Sequence, residues 1–254
     1  MSRFCEFKRK LFSREDILVT NLGNVSWSGI IEVIARFPFD GVVIDLEHGT
    51  MSVEDAESLL RTCRLCDLPG IVRVPDCVPN LISKTLDMGA DGIILPRVES
   101  VEQVEVAIRA MRYFPRGRKG CGGFSNLRRE DEGSTDKYND NRFLFVQIES
   151  NEGLAALPDI LKKYKGEIAG VLIGPYDASI MLGTPLDIMS DEMTKFIGDV
   201  FSVCNAEGIT CGSFVDDKTL IPRYRSLGGN FFWTGSEISL LSESYKALCE
   251  EFKK

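Results

Sequence analysis

Eight apolar, strand-like runs alternate with amphipathic helical stretches along the chain, and this alternation predicts an α/β fold of the (β/α)8 or TIM-barrel class. Two further observations agree. Several runs are apolar almost throughout (GVVID at 41–45, GIILP at 92–96, GVLIG at 170–174), as suits parallel strands covered on both faces. The 254 residues divide into eight repeats of about 32, close to one βα unit.

The predicted strands, in order, are Ile17–Asn21, Gly41–Asp45, Gly70–Val74, Gly92–Leu95, Phe143–Ile148, Ala169–Ile173, Thr210–Phe214 and Asn230–Trp233. Helix signals sit between them. Ser52 precedes VEDAESLLRTCRLC, with Asp55 three residues on, and Ser100 precedes VEQVEVAIRAMRYF, with Gln103 completing a capping box. ISLLSESYKALCEEF follows Ser236, while NLISKTLDMGA and RYRSLGG stop at Gly89 and Gly228. The longest irregular stretch, Pro115–Asn141, reads as a lid, a binding loop or a subunit contact. With no linker in view, residues 1–254 read as one barrel domain. A doubly wound open sheet is the alternative, but NLGNVSW after the first strand lacks its glycine fingerprint.

Composition narrows the function. Thirty-eight acidic against 30 basic residues give a net charge of −8, which disfavours nucleic-acid binding. No run is long and apolar enough for a membrane span, and MSRFCEFKRKLFSREDI has no signal-peptide core, so a cytoplasmic protein with reduced thiols is expected. Of the eight cysteines, Cys63 and Cys66 form a C-x-x-C inside a helical pattern, which reads as structural. The Asn24-Val25-Ser26 sequon means nothing without export. His48 is the only histidine, which excludes a His-only metal site.

Barrel chemistry sits at the carboxyl ends of the strands. There the sequence reads Asp45-Leu46-Glu47-His48, Arg73, Gln147-Ile148-Glu149 and Gly174-Pro175-Tyr176-Asp177. Glu149 and Asp177, one βα unit apart, suit a divalent cation with oxygen ligands, Mg²⁺, Mn²⁺ or Co²⁺; each alone is also a plausible helix cap. Arg73, in a buried strand, needs a partner, either a permanent one such as Asp45 or Glu47, or a substrate carboxylate or enolate. His48 stands among acids at the rim as the one imidazole for proton transfer. No G-x-S-x-G supports a serine hydrolase. None of the 13 lysines lies in a predicted strand, so an enolate made here needs a metal rather than an imine. The basic run Arg112, Arg116, Arg118, Lys119 is either an attractor of anions or a solvated surface.

FDGVVIDLEHGTMSVEDAESLL, VRVP, LDMGADGIILPRVES, YFPRGRKG, VQIES and IGPYDAS together resemble the HpcH/HpaI class II pyruvate aldolases of the phosphoenolpyruvate/pyruvate barrel superfamily, from about residue 8 to about 250. The resemblance implies that Glu149 and Asp177 are metal ligands and that Arg73 holds pyruvate and its enolate. It implies that His48 is the catalytic histidine, with Asp87 its dyad partner, and that Asp45 and Glu47 lie near metal-bound waters. Gln147 and the backbone at Gly174-Pro175 are implied to contact substrate. The implied reaction is reversible cleavage of a 4-hydroxy-2-oxo acid to pyruvate and an aldehyde. A Claisen-type, citrate-forming condensation on the same site and a non-catalytic binding barrel are the alternatives. The implied assembly is a homohexamer, a dimer of trimers, with the last helix exchanged between subunits and Pro115–Asn141 reaching a neighbour's site. The chain departs from the family at Thr20-Asn21-Leu22-Gly23, where a tryptophan is usual, and at Gly49-Thr50, Tyr176, Ala178 and GGFSNLRRED.

Overall fold

The computed structural model describes residues 1–253. Eight parallel strands close into a barrel in sequence order: β1 (Ile17–Leu22), β2 (Gly41–Asp45), β3 (Gly70–Arg73), β4 (Gly92–Leu95), β5 (Phe143–Gln147), β6 (Ile168–Ile173), β7 (Thr210–Val215) and β8 (Phe231–Ser236). Each pairs with its successor, and β8 pairs with β1. The predicted strands are all present, with ends displaced by two residues or fewer except at β8. There the sheet runs on three residues beyond Trp233, through Thr234-Gly235-Ser236.

Side chains alternate along each strand, and this alternation makes two cores. Val42, Ile44, Val72, Ile93, Leu95, Leu144, Val146, Val171 and Ile173 face outward to the surrounding helices. Ile17, Val19, Val43, Ile71, Ile94, Phe143, Phe145, Leu172, Phe231 and Trp233 fill the barrel. The same period of two decides the top layer. Asn21, Asp45, Arg73, Gln147, Phe214 and Trp233 each end, or nearly end, the inward row of their strand.

Sequence reading missed the helix Arg3–Ser13, which precedes β1 and is capped by the Ser2 hydroxyl accepting from the Cys5 N–H. Its buried Phe4, Phe7 and Leu11 join the barrel-interior core and plug the amino end. Ser52–Asp55 forms a full capping box, as does Ser100–Gln103. The helix after Ser100 stops at Met111, short of the apolar pattern, because residue 112 is extended. The stretch Pro115–Asn141 is partly helical, with 3-10 turns at Phe124–Asn126 and Arg129–Asp131 and an α-helix at Thr135–Asp140. It packs on the amino end of its own barrel: Arg128 donates to Asp91, just before β4, and Arg142, just before β5, donates to Asp131. It therefore forms no lid over this chain's rim.

The last helix, Glu237–Phe252, buries only its first residue. Ile238, Leu240, Leu241, Tyr245, Leu248 and Phe252 stay exposed. Among the described residues no helix is long and apolar enough to cross a membrane. Cys63 is buried within the helix Val53–Leu65, and burial pushes its thiol pKa up, which makes a reactive thiolate unfavourable.

Candidate active site

At the top of the barrel the inward layer becomes polar. The β2–β3 register sets Asp45 beside Arg73. The Arg73 guanidinium donates from Nε to Asp45 Oδ1 at 2.9 Å and from Nη2 to Oδ2 at 2.5 Å. Its Nη1 lies 3.2 Å from Glu47, which Arg97 grips from the other side at 2.8 Å. Burial opposes the Arg73 charge, but the bonds from Asp45 overcome it and hold its pKa above the ordinary arginine value. Both partners foreseen for Arg73 are thus present, and its planar fork is fixed for two-point recognition.

The Trp233 ring lies under that guanidinium, 4.9 Å from ring centroid to Cζ. Its indole N–H donates to Asn21 at 3.1 Å, and Phe214 meets it edge-on at 5.4 Å. The family's usual tryptophan after the first strand is absent here, and a tryptophan from the last strand occupies the pocket wall instead.

Glu149 continues inward two residues beyond Gln147, whose amide donates to it at 2.6 Å. The Arg97 N–H donates to its other oxygen at 3.1 Å, from a backbone held in the left-handed region (φ 47°). Burial, then the nearby Asp177 and Glu47 charges, push the Glu149 pKa up to about 8. The glycine at 174 leaves room for these two side chains, because a Cβ there would sit 1.9 Å from Glu149 Oε1 and 2.5 Å from the Gln147 amide and displace them. Neither acid is a helix cap. Ser150 caps the helix after Glu149, and Asp177 lies inside the helix Pro175–Met181, whose N-cap is Gly174.

His48 is half exposed, with Nε2 3.4 Å from Asp177 Oδ2, and the Asp45 carboxylate accepts from its backbone N–H. The turn after it packs against the loop that follows β1. Gly49 has φ +103°, and a Cβ there would lie 2.2 Å from the Gly23 carbonyl oxygen, so these segments of the rim touch. The Glu237 carboxylate pins the same β1 loop by accepting from the N–H groups of Gly23 at 2.7 Å and Val25 at 3.0 Å.

Together Asn21, Asp45, His48, Arg73, Gly174, Pro175, Tyr176, Asp177, Phe214 and Trp233 line a cavity of about 250 Å³. Asn21, Arg97, Phe214 and Trp233 were missed as site residues. All stand at or just past strand ends, and counting the alternation inward would have flagged three of them.

Asp87 is the exception among the expected site residues. Its helix, Pro79–Asp87, descends from the rim, so Asp87 lies near the amino end, ion-paired with the buried Lys119 and beside Gly122 and Gly123. Within one chain the structure does not bring it to His48. Asp45 and Glu47 serve the two arginines directly. Arg112 and Arg116 are spent on Glu167, so the basic run does not face the cavity.

A cation fits this rim. The carboxyl groups of Asp45, Glu47, Glu149 and Asp177 outnumber Arg73 and Arg97 by two, the surplus pair is Glu149 and Asp177, and without a cation beside it Glu149 is favoured in its protonated form. Among the described residues no three His, Cys, Asp or Glu side chains gather as a closed metal cage. Two carboxylates with room for substrate oxygens is the donor set of a hard divalent ion. The Gln147 Oε1 atom, buried without a partner, adds a free acceptor next to it.

A parallel barrel with an arginine fork and unbalanced acids on its carboxyl rim is the architecture of a barrel enzyme, and the comparisons give its class as carbon–carbon lyase. The sequence matches the HpcH/HpaI aldolase/citrate lyase family over residues 25–244, and the chain belongs to that family. It is 32% identical over 227 residues to the hydroxypyruvate/pyruvate aldolase of Roseovarius nubinhibens, covering 86% of this chain and 87% of the relative. It is 31% identical over 230 residues to the 2-keto-3-deoxy-L-rhamnonate aldolase of Salmonella dublin, covering 89% and 85%. Among solved structures, the citrate synthase SbnG superposes with a TM-score of 0.84 at 27% identity, covering 97% and 96%.

Proposed function

We propose that the chain is a divalent-metal-dependent aldolase. It would reversibly cleave a 4-hydroxy-2-oxo acid, of the 2-keto-3-deoxy sugar acid or 4-hydroxy-2-oxoheptanedioate type, to pyruvate and an aldehyde. The observation that carries this reading is the pair of acids, Glu149 buried and Asp177 at the open mouth of the cavity, beside the anchored Arg73. These two acids would hold Mg²⁺, Mn²⁺ or Co²⁺, which when bound supplies Lewis-acid polarisation of the 2-keto group.

The chain's own residues divide the remaining work. Cleavage breaks the C3–C4 bond and moves its electron pair toward the C2 oxygen, while the C4 hydroxyl loses its proton. Arg73, held rigid by Asp45, Glu47 and Trp233, places a fixed positive charge at that oxygen. The Gly174-Pro175 backbone orients the 2-oxo acid, and the free Gln147 Oε1 is an acceptor for its hydroxyl group. His48, the only imidazole and on the cavity wall, accepts the C4 proton and returns one to C3 of the product enolate. Each step conserves electrons and needs no oxidant.

The test is pyruvate release from 4-hydroxy-2-oxo acids with each metal in turn. Release that stops with excess chelator supports the proposal, and turnover unaffected by chelator contradicts it. A Claisen-type condensation is the second reading, favoured by the likeness to SbnG. Consumption of acetyl-CoA with oxaloacetate, without aldehyde turnover, would select it. We also propose, on the exposed apolar side chains of the helix Glu237–Phe252, that copies of the chain associate through this helix as a homo-oligomer in the cytoplasm.

A further inference from the structure

Arg97 lies two residues past β4 with its backbone in the left-handed region, at φ 47°, where an arginine is strained and a glycine is not. It does not line the cavity, yet it reaches three other strand ends. Its N–H donates to Glu149, past β5, at 3.1 Å. Its guanidinium reaches the other way round the barrel, pairing with Glu47, past β2, at 2.8 Å and donating to the Pro75 carbonyl, past β3, at 2.8 Å. The turn itself is fixed from two sides. The Gln103 amide donates to the Arg97 carbonyl at 3.2 Å, and the Val98 N–H donates to the Gln147 carbonyl at 2.9 Å. All of these contacts lie within one chain. Backbone strain persists only where the surroundings impose it, and here it sets the direction of one N–H.

We infer that Arg97 is a positioning residue for the proposed reaction: its strained N–H aims Glu149 at the metal, and its guanidinium braces Glu47 against Arg73. The inference rests on the aldolase reading and deepens it. The backbone is the first part. Gln147 holds Glu149 Oε1 at 2.6 Å and Arg97 holds Oε2, so one donor on each oxygen fixes the plane of the carboxylate. Loss of such an orienting partner weakens metal binding or activity about 10–100-fold. The side chain is the second part. Glu47 is buried between two guanidiniums, and without Arg97 it would answer to Arg73 alone, across 3.2 Å. The fork that must meet the 2-oxo acid would then share its place with a loosened acid, where a small misplacement is costly to catalysis.

The two parts separate by substitution. Arg97→Gly removes the guanidinium but suits the left-handed turn, so the N–H stays on Glu149. Arg97→Val removes the guanidinium and, being β-branched, is driven out of that turn, so the N–H leaves as well. Mn²⁺ alone is titrated into each resting protein by electron paramagnetic resonance. Deuterium exchange into the pyruvate methyl group at saturating Mg²⁺ reports enolate formation. The expected Kd for Mn²⁺ rises at least about tenfold in Arg97→Val and less than about threefold in Arg97→Gly, while exchange slows about tenfold in both. A merely structural role would lower the melting temperature and leave the Kd and the exchange rate of the folded protein unchanged. The same Mn²⁺ affinity in the two variants, or wild-type exchange in Arg97→Gly, overturns the inference alone. Wild type that fails to bind Mn²⁺ or to exchange overturns the aldolase reading, and the inference falls with it.

Discussion

At the amino end of the barrel Arg128 holds Asp91 at 2.7 Å, Arg142 holds Asp131 at 2.7 Å and Arg112 holds Glu167 at 2.8 Å, all three arginines buried. Phe4 and Tyr138 cover the Arg128 and Arg142 guanidiniums, and the first helix plugs the interior. At the carboxyl rim the same chemistry is left open. Arg73 and Arg97 are matched by Asp45 and Glu47, and among the described residues two further acids, Glu149 and Asp177, have no lysine or arginine of their own. A barrel closed at both ends would gain nothing from the second arrangement. Balanced ion pairs at one end hold the fold together, and the imbalance at the other is suited to binding.

The difference is broken most directly at Glu149. Glu149→Gln should lower aldol turnover at least about a thousandfold, about 4 kcal/mol in the barrier, with the barrel still folded by circular dichroism. At the other end Asp91→Ala should do the reverse. By removing the close partner of the buried Arg128 and leaving it only the longer contact to Asp67, it should cost about 3 kcal/mol of stability in urea unfolding, while KM for the 2-oxo acid stays near wild type in the folded fraction. Arg73→Lys, which keeps the charge but loses the fork, should lower kcat/KM about a hundredfold with a smaller change in melting temperature.

The pH dependence sharpens the comparison. The folded-state pKa of Glu149, about 8, lies above its ordinary value of 4.5, so the fold favours the protonated acid. Stability from this group is complete below about 4.5 and is lost as pH rises to about 8. Metal-free wild type should therefore lose stability relative to Glu149→Gln between those values, read by urea unfolding at several pH values. A constant difference would show that Glu149 is not buried as described. No such trend should separate wild type from a variant of an exposed acid.

Most of the barrel was legible because parallel strands are apolar on both faces and leave runs such as GVVID and GIILP that few other structures need. The plug helix was missed although Ser2, Phe4, Phe7 and Leu11 carry a cap and a helical spacing; the interleaved Lys and Arg made it look like a tail. Arg73, Glu149, Asp177 and His48 were legible as charged residues at apolar strand ends. The aromatic wall was not, since Phe214 and Trp233 look like ordinary strand residues until the inward row is counted. Asp87 belongs to a different surface of the single chain, where it pairs with Lys119 away from His48. A motif gives chain order, but the direction of the helix carrying it decides which end of the barrel the side chain reaches.

The central claim, that the rim's surplus charge is a metal site, is tested most directly by titrating Mn²⁺ into the protein by electron paramagnetic resonance, with wild type, Glu149→Gln and Asp177→Asn side by side. One bound ion per chain in wild type, tightened by pyruvate or oxalate and lost in both variants, is the predicted result. Binding of the same strength in all three proteins, or none in wild type, would contradict it.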